Sequence, residues 1–252
     1  MSRIARVVAV GLPHHITQRG NYQQDVFLNG GNRKQYLTWI SEYSVKYGVT
    51  VLAYCLMPNH VHFIAVPNKS DSLAKTFNTA HMRYSQYFNK KLKQRGHLWQ
   101  GRFYSCVLDQ SHFIRAARYI ERNPVRAGFV EKPWKWPWSS AALHTGREDN
   151  GFVNLGDFLR VINMLSVEWE KYIDSPEEDN FLQNIRKHTC AGRPLGTSNF
   201  TIDLEEKCGR RLCALPVGRP KIIRDSDRFF GRVEEKRSLS LIKLRREKQC
   251  RR

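Results

Sequence analysis

The run from Val49 to Val66 constrains the fold more than any other part of the chain. Val49, Val51, Leu52, Tyr54, Cys55 and Leu56 form a β-branched and apolar stretch, Pro58-Asn59 interrupts it, and His60 to Val66 is mostly apolar again. Pro and Asn favour a turn, so 49–56 and 60–66 are predicted as the two strands of a hairpin. Upstream, Gly30-Gly31-Asn32 precedes a segment at 33–47 in which Tyr36, Leu37, Ile40, Tyr43 and Val45 share a helical face, and Gly48 stops it. Downstream, 70–93 reads as a longer helix capped by Ser70 or Asp71. Strands are expected at 12–19, ending at Gly20-Asn21, and at 103–108. Asp109 or Ser111 opens a further helix that runs to about Asn123, where Pro124 follows.

The order β-α-β-β-α-β predicts an α+β fold: a ferredoxin-like split βαβ antiparallel sheet with helices on one face, followed by a mainly helical, basic C-terminal extension. Helices are expected near 138–145, 154–164 and 167–173. Trp134, Trp136 and Trp138 alternate around Pro133 and Pro137 as a packed corner. We divide the chain into a body at 1–145, a helical extension at 146–217 and a basic, flexible tail at 218–252.

Charge points to the partner. The net charge is +19 and the pI about 10.0. By segment it is +13 over 1–150, −5 over 151–206 and +11 over 207–252. A polyanion is the expected partner, nucleic acid first. No apolar stretch approaches the roughly 18 residues of a membrane span, and the apolar run before Leu12 is too short for a signal peptide. A cytoplasmic location with no membrane association is expected. The six cysteines form no C-x-x-C pair and are read as reduced, idle thiols.

Two motifs carry chemistry. In Pro58-Asn59-His60-Val61-His62 the histidines are two apart on a strand, so both imidazoles face one side and can share a cation. In Tyr119-Ile120-Glu121-Arg122-Asn123-Pro124 the tyrosine and the asparagine are four apart on a helix and project together. Asn123 offers a hard carbonyl oxygen suited to Mg²⁺ or Mn²⁺, and Tyr119 a phenol able to attack phosphorus. Arg115, Arg118, Arg122 and Arg126 surround them. His15-Ile16-Thr17 matches the H-x-T of two-histidine phosphoesterases, but the second copy is missing, so that reading is set aside.

Together with Gly96-His97-Leu98-Trp99-Gln100-Gly101-Arg102-Phe103 and Gly192-Arg193-Pro194-Leu195-Gly196, these blocks resemble the single-tyrosine transposases of the HUH superfamily, most closely the REP-associated tyrosine transposases of bacteria. The resemblance covers 10–145 well and the rest loosely. It implies that His60 and His62 bind Mg²⁺ or Mn²⁺, and that Asn123 completes the metal shell or orients its water. Tyr119 would be the nucleophile, forming a 5′-phosphotyrosine and freeing a 3′-hydroxyl. Many related transposases have Gln where this chain has the shorter Asn123. The implied substrate is single-stranded DNA folded into hairpins such as repetitive extragenic palindromes; no small-molecule substrate is expected, and the chain is expected to act as a monomer. A non-cleaving DNA-binding protein on this fold, or an RNA-binding module, also fits the residues.

Basic residues interleaved with aromatics suit single strands, where phosphates meet charge and bases stack on rings. Arg83, Lys90, Lys91, Arg95, Trp99, Gln100 and Arg102 are the expected contacts, with the four arginines near Tyr119. Arg193, and Arg219 and Lys221 in the AT-hook-like Gly218-Arg219-Pro220-Lys221, are expected to reach DNA from the C-terminal part.

Overall fold

The computed structural model describes residues 5–148, 152, 153, 155–176 and 179–214, so Arg219 and Lys221 lie outside the described residues. The chain divides into two compact units, Met1–Gly196 and Thr197–Arg252. In the first, β1 (His14–Arg19), β2 (Val49–Leu56), β3 (His60–Pro67) and β4 (Tyr104–Val107) form one four-stranded sheet in the order β2-β3-β1-β4. Every neighbouring pair is antiparallel. Helices α1 (Gly30–Tyr47) and α2 (Ser72–Leu92) make the two crossovers, which is the split βαβ arrangement expected. Helix α1 starts earlier than expected because the Asn29 side chain accepts from the Asn32 N–H. Gly48 ends it with φ 68°, a left-handed conformation that glycine adopts without steric cost.

Strand alternation sorts the sheet into two buried faces. Ile16, Val51, Tyr54, Leu56, Val61, Phe63 and Ala65 pack against Tyr36, Ile40, Phe77, Ala80 and Tyr84 of α1 and α2. The opposite face is covered as well. Leu52, Cys55, Ile64, Cys106 and Leu108 meet α3 (Gln110–Glu121), α6 (Leu155–Ile162), α7 (Ser166–Asp174) and α8 (Asp179–Ala191) through Phe113, Ile120, Phe158, Trp169, Phe181 and Ile185. The crossover helices thus share one face as anticipated, and later helices close the other. Short helices α4 (Asn123–Arg126) and α5 (Ala141–His144) connect them. The second unit contributes α9 (Ser198–Cys208).

Three connecting segments hold the sheet ends. Asp109 caps α3 by accepting the His112 N–H at 2.8 Å. The tryptophan corner straps β2: Leu56 N–H donates to the Trp138 carbonyl at 2.8 Å, and the Trp136 indole N–H donates to the Leu56 carbonyl at 3.2 Å. Leu195, in Gly192-Arg193-Pro194-Leu195-Gly196, bonds both Val107 and Asp109 and extends the edge beside β4. Among the described residues no helix is long and apolar enough to cross a membrane.

Candidate active site

Thr17 pairs with His62 and Arg19 with His60 where the central strands β1 and β3 run side by side. The period-two geometry of a strand then sends His15, Thr17, Arg19, His60 and His62 to the face covered by α3 and α8. There they line a cleft of about 510 Å³ together with Gln100, Tyr104, Tyr119, Asn123, Arg186, Thr189 and Cys190. Helix α3 brings the tyrosine in, and α8 supplies the last three residues.

The Tyr119 ring stands edge-on to His62 at 5.6 Å and to His15 at 5.8 Å between centroids. The Arg126 guanidinium lies 4.4 Å from the centre of the tyrosine ring. It also donates to the Tyr119 carbonyl at 2.9 Å and to Asn123 Oδ1 at 2.8 Å. One amide lone pair is therefore already used, and the buried Asn123 Nδ2 finds no partner among the described residues.

Both expected ligand histidines are neutral. Burial, reinforced by Arg19 and Arg126, lowers His60 to about 4. Burial holds His62 well below its ordinary value, with His60, His15, Arg126 and Arg19 adding to the effect. The bond from His60 Nδ1 to Asn59 Oδ1, 2.6 Å, fixes one tautomer. Asn59 Nδ2 donates to the Gln23 carbonyl, so the Oδ1 that faces His60 is an acceptor; Nδ1 carries the proton and Nε2 is bare. This is the state in which an imidazole coordinates a cation. Among the described residues no three His, Cys, Asp or Glu side chains gather as a metal-holding group. Two imidazoles and an amide oxygen would leave coordination positions for phosphate and water, a set that suits Mg²⁺ or Mn²⁺.

The DNA-contact candidates separate by environment. Gln100 reaches the cleft because its N–H donates to the Arg19 carbonyl at 2.9 Å, hooking 98–101 across the end of β1. Trp99 in the same hook is buried, its indole N–H donating to the His81 carbonyl at 3.1 Å. Lys90, Lys91, Arg95 and Arg102 are exposed, with Lys91 beside Tyr87. Arg83 is tied to Tyr43 and Glu42. Two arginines at the C-terminal end of α3 hold the end of α7: Arg118 donates to Ser175 and Pro176 just beyond it, and Arg122 to the Ile173 carbonyl at 2.5 Å. Arg115 lies 4.3 Å over the Phe181 ring. Arg193 is half-buried, its N–H donating to the His188 carbonyl.

Sequence reasoning missed His15, Thr17, Arg19, Tyr104 and all of α8. The histidine was visible only inside a tripeptide with another meaning. For α8, Phe181, Leu182 and Ile185 carry a weak helical period that the neighbouring acidic run obscured.

Several known proteins are similar to this chain. The model of the family described as "Transposase IS200 like" matches residues 9–123. A REP-associated tyrosine transposase of Haemophilus influenzae is 31% identical over 150 residues, which is 48% of this chain and 84% of that protein. Two solved structures are similar at 20% identity. A REP-associated tyrosine transposase bound to a REP hairpin has a TM-score of 0.48 over 62% of this chain and 90% of its own. A transposase of Deinococcus radiodurans has 0.35 over 48% and 97%. The chain belongs to the IS200-like transposases, in the REP-associated tyrosine transposase group, and is an enzyme of DNA cleavage and transfer.

Proposed function

We propose that this transposase acts in the cytoplasm as a monomer on single-stranded DNA bearing REP-type palindromic hairpins, cutting and rejoining it through a 5′-phosphotyrosine. The observation that carries the reading is a tyrosine edge-on to His62 in a cleft that also holds His60, both imidazoles neutral. Tyr119 Oη attacks the scissile phosphorus as the bond from phosphorus to the 3′-oxygen breaks. The phenol gives up one proton and the leaving 3′-oxygen takes one up, so one phosphodiester replaces another and a 3′-hydroxyl can reverse the step without ATP. Arg126 fixes the tyrosine's backbone and ring, while Arg19 and Arg186 line the cleft that takes the phosphate. His60 and His62 would hold Mg²⁺ or Mn²⁺, with Asn123 offering its second oxygen lone pair. The ion would supply Lewis-acid polarisation of the phosphate.

The test uses hairpin DNAs labelled on the strand 3′ of the cut, with Mg²⁺ or Mn²⁺. We expect label covalently attached to the protein, lost in Tyr119→Phe while hairpin affinity stays within about twofold. Tight binding with no adduct over a broad hairpin panel would favour a non-cleaving DNA-binding protein. Equal loss of binding and cleavage in Tyr119→Phe would overturn the nucleophile assignment.

A further inference from the structure

His62 has another histidine behind it. Its Nδ1 lies 2.9 Å from Nε2 of His15, whose Nδ1 lies 2.7 Å from Thr189 Oγ1 on α8. The two ring planes differ by only 7°, which suits an in-plane N–H···N bond. His62, His15 and Thr189 are all buried. A neutral imidazole has one N–H and one bare nitrogen, so the direction of this chain decides which nitrogen of His62 is free. Protons running from Thr189 towards His62 would leave a hydrogen on Nε2 and forbid coordination. Protons running the other way leave Nε2 bare.

The cleft end sets the direction. With Nδ1 engaged by His15, only Nε2 of His62 is left for a cation, and a ligand nitrogen must be bare. Thr189 Oγ1 then accepts from His15 Nδ1–H, and His15 Nε2 accepts from His62 Nδ1–H. We infer that Thr189 and His15 form a hydrogen-bond relay that locks His62 as the Nδ1-protonated tautomer and aims its bare Nε2 into the cleft. His15 and Thr189 are thus positioning residues, and the C-terminal part of the first unit takes part in building the metal centre. The inference rests on His62 being a ligand. It does for His62 what Asn59 does for His60.

The experiment uses the full-length chain. With ¹⁵N-labelled histidine and no metal, long-range ¹H–¹⁵N correlation reads the tautomer of each ring. His62 and His15 should both be Nδ1-protonated, and Thr189→Val should switch both to Nε2–H. An Nε2-protonated His62 in the parent overturns the relay. Mn²⁺ titration calorimetry should show about tenfold weaker binding for Thr189→Val, the usual scale for losing an outer partner of a ligand. Thr189→Ser, which keeps the hydroxyl, should stay within about twofold. Unchanged binding in Thr189→Val, or an equal loss in Thr189→Ser, also overturns it. If His62→Ala leaves Mn²⁺ binding intact, the ligand assignment fails instead, and the tautomer spectrum still judges the relay.

Discussion

The Glu121 carboxylate, two residues beyond Tyr119, is fully buried and receives three side-chain donors. The Ser140 hydroxyl at 2.6 Å and His144 Nδ1–H at 2.5 Å bond one oxygen; the Trp169 indole N–H at 2.9 Å bonds the other. His144 in turn stacks on Phe158, 3.5 Å between centroids. One side chain of α3 therefore pins α5 and α7 and fixes the helix end that presents the nucleophile. Glu121→Ala strands three buried donors, and we expect a loss of about 3 kcal/mol or more in urea unfolding, since each stranded group costs about 1–3 kcal/mol. A loss below about 1 kcal/mol would mean that packing alone anchors this helix end. Arg126 works on the same stretch from the solvent side through the Tyr119 carbonyl and the Asn123 amide.

Among the elements, α8 links packing to chemistry. Ile185 is buried in the second core while Arg186 and Thr189 line the cleft. Ile185→Ala should cost about 2–5 kcal/mol, the range for emptying a buried aliphatic site, and should lower strand cleavage more than hairpin affinity. Cleavage unchanged at full stability would separate α8 from the site. The sheet and its crossovers were legible because each strand and helix carries its own period, and because Gly48, Pro58 and Asp109 mark their ends. His60, His62, Tyr119 and Asn123 were legible because each pair sits at a spacing that puts it on one face. Beyond 145, the helices expected near 154–164 and 167–173 are present as α6 and α7, but α8 was not anticipated. What places α8 against β1 is His15 meeting Thr189, a contact between remote residues that no local pattern announces. Trp99, Arg118 and Arg122 show the converse. As DNA-facing side chains they looked alike in sequence, yet an indole buried over His81 and guanidiniums on carbonyls at the end of α7 hold the protein to itself.

For the molecule as a whole, buried neutral histidines tie stability to pH. Burial lowers His14 to about 4, and His15 and His81 to about 3. Unfolded, each returns to its ordinary value near 6.5 and takes up a proton more readily than the native chain. Their contribution is therefore complete above pH 6.5 and is lost as pH falls from there, towards 4 for His14 and towards 3 for His15 and His81, at about 1.4 kcal/mol per pH unit for each histidine. Denaturation of the metal-free chain at pH 7.5, 6 and 5 should show this decline; a flat profile down to pH 5 would mean that these rings are solvated. The same +19 chain should release DNA steeply as salt rises. The span from His15 to Thr189 has a consequence for synthesis. A ribosome that has delivered everything through α3 has released the tyrosine and both histidines, but not the hydroxyl on which the relay ends. A chain that stops short of Thr189 would lack that anchor for His62, so full metal affinity is expected only once α8 has been made.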